Sequence, residues 1–375
     1  MDTDAHALLT LILAGGSSAA RRQLLDTHGD ATTALKAGRG AWRASGLGED
    51  SCTRLLNPDH EAMERCITWL EGSHRHLLHW QHADYPALLR QTGSPPLALF
   101  VEGNPDLLWH PGVAVVGSRS PTSGGRDNAR DFSRALAMSG LAICSGMAAG
   151  IDAAAHEAAL AVPDGRTIAV VGTGPDLAYP KSHARLRDRI AAAGALVSEF
   201  PPGTEARPGH FPSRNRLLAG LSLGTLVIEA AERSGALITA RLASESGREV
   251  FAIPGSIHNP MARGCHRLIR DGAVLVERPQ EIVDGLGPLA AELAQALRQR
   301  LAPAPGRPHP VASIPPAPLD PDYQTLWQAL GHDPTSMDAL VARTRLTAAE
   351  LSSMLLVMEL DGQVAVEHGR YSRRS

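Results

Sequence analysis

Lysine is almost missing from this 375-residue chain: of 36 basic residues, only Lys36 and Lys181 are not arginine. The excess of Arg and Ala reads as coding bias, against which a retained lysine marks a local need. Aromatic residues are scarce, at 4%, which argues against a nucleic-acid site built mainly from stacked rings. Neither charge sign dominates. The formal charge is −3, so there is no polybasic tail or acidic disordered arm, and charge alone neither favours nor excludes nucleic acid. The four cysteines, Cys52, Cys66, Cys144 and Cys265, lie far apart without a CxxC. That excludes a cysteine metal site or disulfide frame and suits reduced thiols. No apolar run is long enough to span a bilayer, and no basic region precedes an apolar core at the N-terminus. The expected location is the cytoplasm, with no membrane partner. HExxH, GxSxG and GxxxxGK[ST] are all absent, and GTGPDL at 172–177 lacks the last glycine of GxGxxG. Zinc-protease, hydrolase-elbow and P-loop chemistry are thereby excluded.

What is present suggests two or three domains. Residues 1–75 carry apolar residues at helical spacing, broken by glycines, in HALLTLILA, ARRQLLDTHG, ATTALKAG and HEAMERCITWLEG. Short helices joined in this way suit a helix-hairpin-helix-like (SAM-like) module touching a DNA backbone, or a packing domain, the reading preferred here. Residues 76–110 read as a connection with one short strand at 97–101. Residues 111–288 alternate strand and helix, with strands expected at 113–116, 141–144, 167–171, 195–198, 225–229, 249–253 and 273–276. Strands apolar on both faces, each followed by a helix, imply a parallel sheet covered on both sides. The fold class is α/β: an extended Rossmann-like, doubly wound, mostly parallel sheet spanning 76–288. It is flanked by a small all-α N-terminal domain and a small winged-helix-like C-terminal domain. A polar helical tail and the Pro-rich run APAPGRPHPVASIPPAPLD form a linker over 289–318. Residues 319–375 give three helical patterns and a hairpin, consistent with a winged helix. TAAELSSMLLVME is its expected recognition helix. That helix is poor in Arg and Lys, which favours protein interaction over DNA contact.

The chemistry gathers in turns that follow the strands. VAVV runs into Gly117, Ser118 and Arg119, a strand, a tight turn and a helix start. Such a turn suits an anion at the helix N-terminus, and Arg119 adds a two-pronged phosphate donor. An ordinary strand-to-helix turn explains this piece equally well. LAIC is followed by Ser145 and Gly146, and IAVV by a loop carrying Lys181 and His183. LVSEF is followed by FPSRNR with Arg214, Asn215 and Arg216, and TLVIEA by Ser234, Gly235 and Thr239. In a parallel sheet all these turns share one rim, and a rim of oxyanion donors is a phosphate track. Asp152, His156, Glu199 and Glu229 are the best acid–base candidates. A cap for Asp152, groove-wall contacts for the glutamates and local packing for His156 are the preferred readings. No residue is assigned a catalytic role, and no metal or cofactor is expected.

The ordered set GSRS, SGMAAGIDAAAH, YPKSH, FPSRNRLLAGLS, VIEAAERSGALITA, REVFAIPGS and GCHRLIRDGA resembles the DNA-processing protein A family (DprA, also called Smf). The resemblance covers most of 80–285. It implies an extended Rossmann domain that binds single-stranded DNA and forms a homodimer. It further implies loading of the RecA recombinase onto incoming strands during natural transformation. The family's groove residues map onto Arg119, Lys181, Arg214–Arg216 and Ser234–Thr239. Gly117, Ser118, Ser145, Gly146 and Gly235 are expected to offer backbone or hydroxyl donors. Two positions depart from the family pattern: His183 and His266 stand where asparagine is usual, which places a titrating ring in each loop. The rival reading is a Rossmann-like nucleotide enzyme of the phosphoribohydrolase type, suggested by LGTLVIEA. In that segment Leu221, Ser222 and Leu223 replace the glycines such a phosphate turn needs.

Overall fold

A computed structural model describes residues 3–301, 321–330, 335–348, 350–351, 354–355, 358, 364–367 and 370–373. The chain forms two compact units, Met1–Ala302 and Pro303–Ser375.

The first unit is built on nine strands: β1 (Arg75–His79), β2 (Ala98–Gly103), β3 (Gly112–Val116), β4 (Ala142–Ser145), β5 (Thr167–Val170), β6 (Ala195–Ser198), β7 (Gly224–Val227), β8 (Glu249–Ala252) and β9 (Val274–Leu275). Their order is β1-β2-β6-β5-β4-β3-β7-β8-β9. The strands from β3 onward pair in parallel, and β1 and β2 add an antiparallel edge. The chain winds outward from β3 to β6, then returns to the other side of β3 at β7. That reversal opens a crevice beyond the carboxyl ends of β3 and β7. Strands β3 to β7 are buried throughout. Their sequences therefore read as continuous apolar runs rather than alternations.

Alternate residues of β3 enter opposite cores. Ala114 and Val116 join the core under Leu217, Leu221 and Ala240. Val113 and Val115 join the core with Phe132, Leu136, Ile151 and Leu286. The covering helices are numbered after six N-terminal ones: α1 (Thr3–Leu13), α2 (Ser18–His28), α3 (Ala31–Lys36), α4 (Gly38–Ala44), α5 (Glu49–Leu56) and α6 (His60–Leu70). They continue with α7 (Ala87–Arg90), α8 (Ser123–Met138), α9 (Ile151–Leu160), α10 (Ala184–Ala193), α11 (His210–Leu221), α12 (Gly235–Glu245), α13 (Arg263–Arg270) and α14 (Pro279–Leu301).

The N-terminal helices begin where capping chemistry dictates. Ser17, Asp30 and Asp59 accept backbone N–H groups at the starts of α2, α3 and α6. Their core is shared with the sheet, because Leu97, Ala98 and Phe100 pack among the helical side chains. Trp69 meets the Phe100 ring edge-on at 5.9 Å. The module is thus joined to the Rossmann-like body by a continuous interior. Strand β1 has no signature in the sequence, because RHLLH has no β-branched residue and only Leu78 is buried. Helix α14 runs past position 288, where the sequence pattern starts the linker. Leu293 is buried, and Leu289, Ala290 and Leu297 pack on the same core. The Pro-rich stretch at 302–318 lies outside the described residues.

The second unit contains α15 (Pro321–Ala329), β10 (Thr335–Ser336), α16 (Met337–Thr344), β11 (Val364–Glu367) and β12 (Arg370–Arg373). Its sheet has the order β10-β12-β11, all antiparallel, and β11–β12 is the expected wing. Leu326, Leu340, Leu351, Leu355 and Val364 form its core. The segment TAAELSSMLLVME is helical from Ala348 where described, and part of it lies outside the described residues. Its buried Leu351, Met354, Leu355 and Met358 explain the apolar face.

Candidate nucleic-acid interface

A cleft of about 590 Å³ lies at the reversal between β3 and β7. It brings together Gly117, Arg119, Arg214, Asn215, Ser234, Gly235 and Thr239 from loops far apart in sequence. Gly117 must be glycine: a Cβ there would stand 2.7 Å from Ile151 and 3.0 Å from the Glu229 carbonyl oxygen. The chain therefore turns off β3 directly into the cleft. Arg119 is exposed, and its guanidinium lies over the Phe211 ring at 5.4 Å. A cation held over a ring keeps its N–H edge available for an anion. Among the described residues no carboxylate forms an ion pair with it. On the opposite wall, the Ser234 side chain caps α12 by accepting from the Ala236 N–H at 3.3 Å. Gly235 opens that helix with nothing within 4 Å of where a Cβ would be. Thr239 is buried, one turn deeper.

Arg214 belongs to the floor, not to the walls. Its side chain is buried, and Nη1 donates to the Val170 carbonyl at 2.7 Å. Asp152 balances it electrostatically while accepting the N–H groups of Gly146 (3.1 Å) and Ala148 (3.3 Å). Burial pushes the Asp152 carboxyl up, with Arg214 opposing, and pushes the Arg214 guanidinium down, with Asp152 opposing. The pair compensates its own charge and fixes the Arg214 guanidinium beneath the cleft, so that it is not a mobile phosphate-gripping arm.

Five of the expected residues do not line this cleft. Ser145 is fully buried, and its hydroxyl donates to the Val115 carbonyl at 2.6 Å, tying β4 to β3. The Gly146 N–H is taken by Asp152, and a Cβ at Gly146 would fall on the Arg214 guanidinium. Neither is an available donor, because both lie within the sheet's own packing. Ser118 holds its turn: its hydroxyl accepts from the Ser120 N–H at 3.1 Å, and its carbonyl accepts from the Ile151 N–H at 3.1 Å. Arg216 points to the other side of α11, where it pairs with Glu199 and donates to the Ser94 carbonyl at 2.5 Å. Lys181 is exposed in a short turn after β5, on the same rim but outside the cleft lining. Nearby Tyr179 lies 5.2 Å from the Phe211 ring.

The two unusual histidines both bond to backbone. His183 Nδ1 is 3.0 Å from the carbonyl of Met147, a residue held at φ 56°. His266 Nε2 is 2.9 Å from the Gly255 carbonyl. Glu229 clamps the entry to α8, accepting from the Thr122 N–H (2.8 Å), the Thr122 hydroxyl (2.7 Å) and Asn259 (3.2 Å). In the sequence, Phe211 is one of several loop-adjacent aromatics that core packing would explain. Nothing there signals its place under Arg119, because the two are 92 positions apart.

A doubly wound parallel sheet with an arginine-edged cleft at its reversal, followed by a separate helix-and-wing unit, defines a Rossmann-like protein with a winged-helix appendage. The model of the family described as DNA recombination-mediator protein A matches residues 76–287, and that of the DprA winged helix domain matches 310–370. The chain belongs to the DprA/Smf family of DNA-processing proteins. It is 41% identical to Protein Smf of Synechocystis over 78% of each chain. Identity to Protein Smf of Escherichia coli is 40%, over 88% of this chain and 85% of that one. The DprA structure from Streptococcus pneumoniae superposes with a TM-score of 0.67 at 36% identity, over 76% of this chain and 98% of that one. The DNA processing protein A of Helicobacter pylori, whose structure addresses its single-stranded DNA binding mode, superposes with a TM-score of 0.51 at 29% identity. That match covers 56% of this chain and 95% of that one.

Proposed function

We propose that the cleft binds single-stranded DNA, and that the protein protects incoming strands and loads RecA onto them in natural transformation and homologous recombination. The observation that carries the binding reading is Arg119, unpaired by any carboxylate among the described residues and held over Phe211 opposite the open N-terminus of α12. That arrangement favours phosphate contacts with little sequence preference. Gly117, Asn215, Ser234, Gly235 and Thr239 line the same path, and Lys181 extends it along the rim. The region 111–288 has 19 basic and 17 acidic residues. Attraction for a polyanion therefore comes from placement, not from net charge. The single-stranded DNA bound by the Helicobacter pylori relative supports the ligand class. RecA delivery and the homodimer rest on the family resemblance.

The protein acts as a binder rather than an enzyme in this reading. The phosphoribohydrolase alternative loses its footing at Glu229, whose carboxylate is occupied by Thr122 and Asn259. Leu221 and Leu223, buried in the core, leave no phosphate turn. Salt titration of Arg119→Ala with single-stranded oligonucleotides tests the proposal. The slope of log affinity against log salt should fall by about 0.7, one single-strand phosphate contact, equally for every sequence. Wild-type affinity and slope in that variant would overturn the reading.

A further inference from the structure

On the far side of α11 lies a second and larger cavity, of about 850 Å³, between the N-terminal helices and the loop after β6. Helix α11 is the wall between the two. Phe211, Arg214 and Asn215 face the rim cleft, whereas His210, Ser213 and Arg216 face the second cavity. These are opposite stripes of one helix. In the turn leading into α11, Pro208 lines the first space and Arg207 the second. Arg207, Pro208 and Gly209 are all exposed. A strand leaving the cleft therefore has only this turn to cross.

The second cavity has the chemistry of a nucleotide site. Phe200 and His210 stack face to face at 4.0 Å with their planes 19° apart, a stack that a base can extend on an outer ring face. His210 is fixed by Nδ1 at 3.1 Å from the Gly172 carbonyl. Several charges are already committed. Arg216 pairs with Glu199, Asp59 caps α6, and Arg21 is buried and donates to the Ile12 carbonyl at 2.9 Å. Glu205 is exposed and opposes an anion. Arg207 has no ion pair among the described residues. Among the described residues Arg65 forms an ion pair only with Glu61, an exposed contact of 2.6 Å within one helix turn that a phosphate can displace cheaply. Arg65 also packs over Gly203, 3.2 Å from where a Cβ would be, so it is held against the β6 loop. The volume lies within the range of nucleotide-sized sites.

We propose that this cavity is a second nucleotide subsite for the same single strand, making the N-terminal helices part of the DNA-binding surface. The proposal rests on the rim-cleft reading above. Arg65 and Arg207 hold the backbone, and a base extends the Phe200–His210 stack.

The test is a length ladder of oligothymidylate measured against the wild-type chain, Arg119→Ala and the double variant Arg65→Ala/Arg207→Ala. Both arginines are at the surface, so the double variant leaves the core intact. The double variant should bind the shortest oligonucleotides as the wild type does. For long ones it should lose about tenfold in affinity and about 1.4 in salt slope, two single-strand phosphate contacts. Arg119→Ala should weaken short and long alike. If Arg119→Ala weakens binding while the double variant matches the wild type at every length, the subsite is overturned and the rim cleft stands. If the double variant weakens short and long oligonucleotides equally, the arginines act only through a diffuse field, and the subsite is again overturned. A silent Arg119→Ala removes the rim cleft and the subsite with it.

Discussion

His156 sits on α9 with no exposed surface. Its Nδ1 is 2.7 Å from the Thr167 hydroxyl, which itself donates to the Ile143 carbonyl at 2.7 Å. The ring must therefore be the donor at Nδ1, and its Nε2 is buried. Burial, with Arg214 and His183 adding to it, pushes the pKa down to about 3. Between that value and the unfolded value near 6.5 only the unfolded chain takes the proton. The contribution of His156 to stability is therefore complete above about pH 6.5 and declines as pH falls, by up to about 1.4 kcal/mol per unit. Asp152 and Glu199, both raised by burial, act with the opposite sign. The wild type should consequently lose more melting temperature than His156→Phe between about pH 7 and about pH 5. Parallel losses in the two would show that His156 is not held neutral. At this scale the sequence is informative about residue type and poor about direction. Gly146 is legible as special, but for the wrong reason. It is glycine because Arg214 occupies its Cβ position, not because its N–H is offered to a ligand.

At the scale of elements, hydrophobic runs identify the parallel strands to within a residue or two, because β3 to β7 are buried on both faces and read as short continuous apolar stretches between turns. Strand β1, half exposed and at an edge, leaves no such mark. The opposite edge has a consequence for assembly. Strand β9 pairs only with β8 among the described residues, and Val274 and Leu275 are 42% and 46% exposed. An open, apolar edge invites a further strand, and the proposed homodimer would seal it. Leu275→Lys should shift the protein toward monomer in sedimentation velocity at fixed concentration. An unchanged sedimentation coefficient would place the dimer contact elsewhere.

At the scale of the molecule, the shared interior of the N-terminal helices and the sheet makes Met1–Ala302 one folding body. Where that body ends is testable. A chain ended after Ala302 should melt as the first unit of the full protein does. One ended after Gly287 loses Leu293 and its neighbours from the core. It should lose about 2–5 kcal/mol, seen as an earlier thermal transition. Equal melting of the two would mean that the second half of α14 adds nothing to the fold. No helix among the described residues is long and apolar enough to cross a membrane.

From the sequence alone came the parallel sheet, the turns at its rim, the separate helix-and-wing unit and the family, since each depends on local periodicity or short ordered motifs. Only the folded chain decided which rim residues face outward. Arg214, Asn215 and Arg216 are neighbours in sequence, yet α11 turns the first two into one cavity and the third into another. Ser145 and Arg214 find their partners 30 and 44 positions away. A polar side chain beside a sheet is claimed by whichever carbonyl lies within reach, and that carbonyl is placed by packing across the whole core.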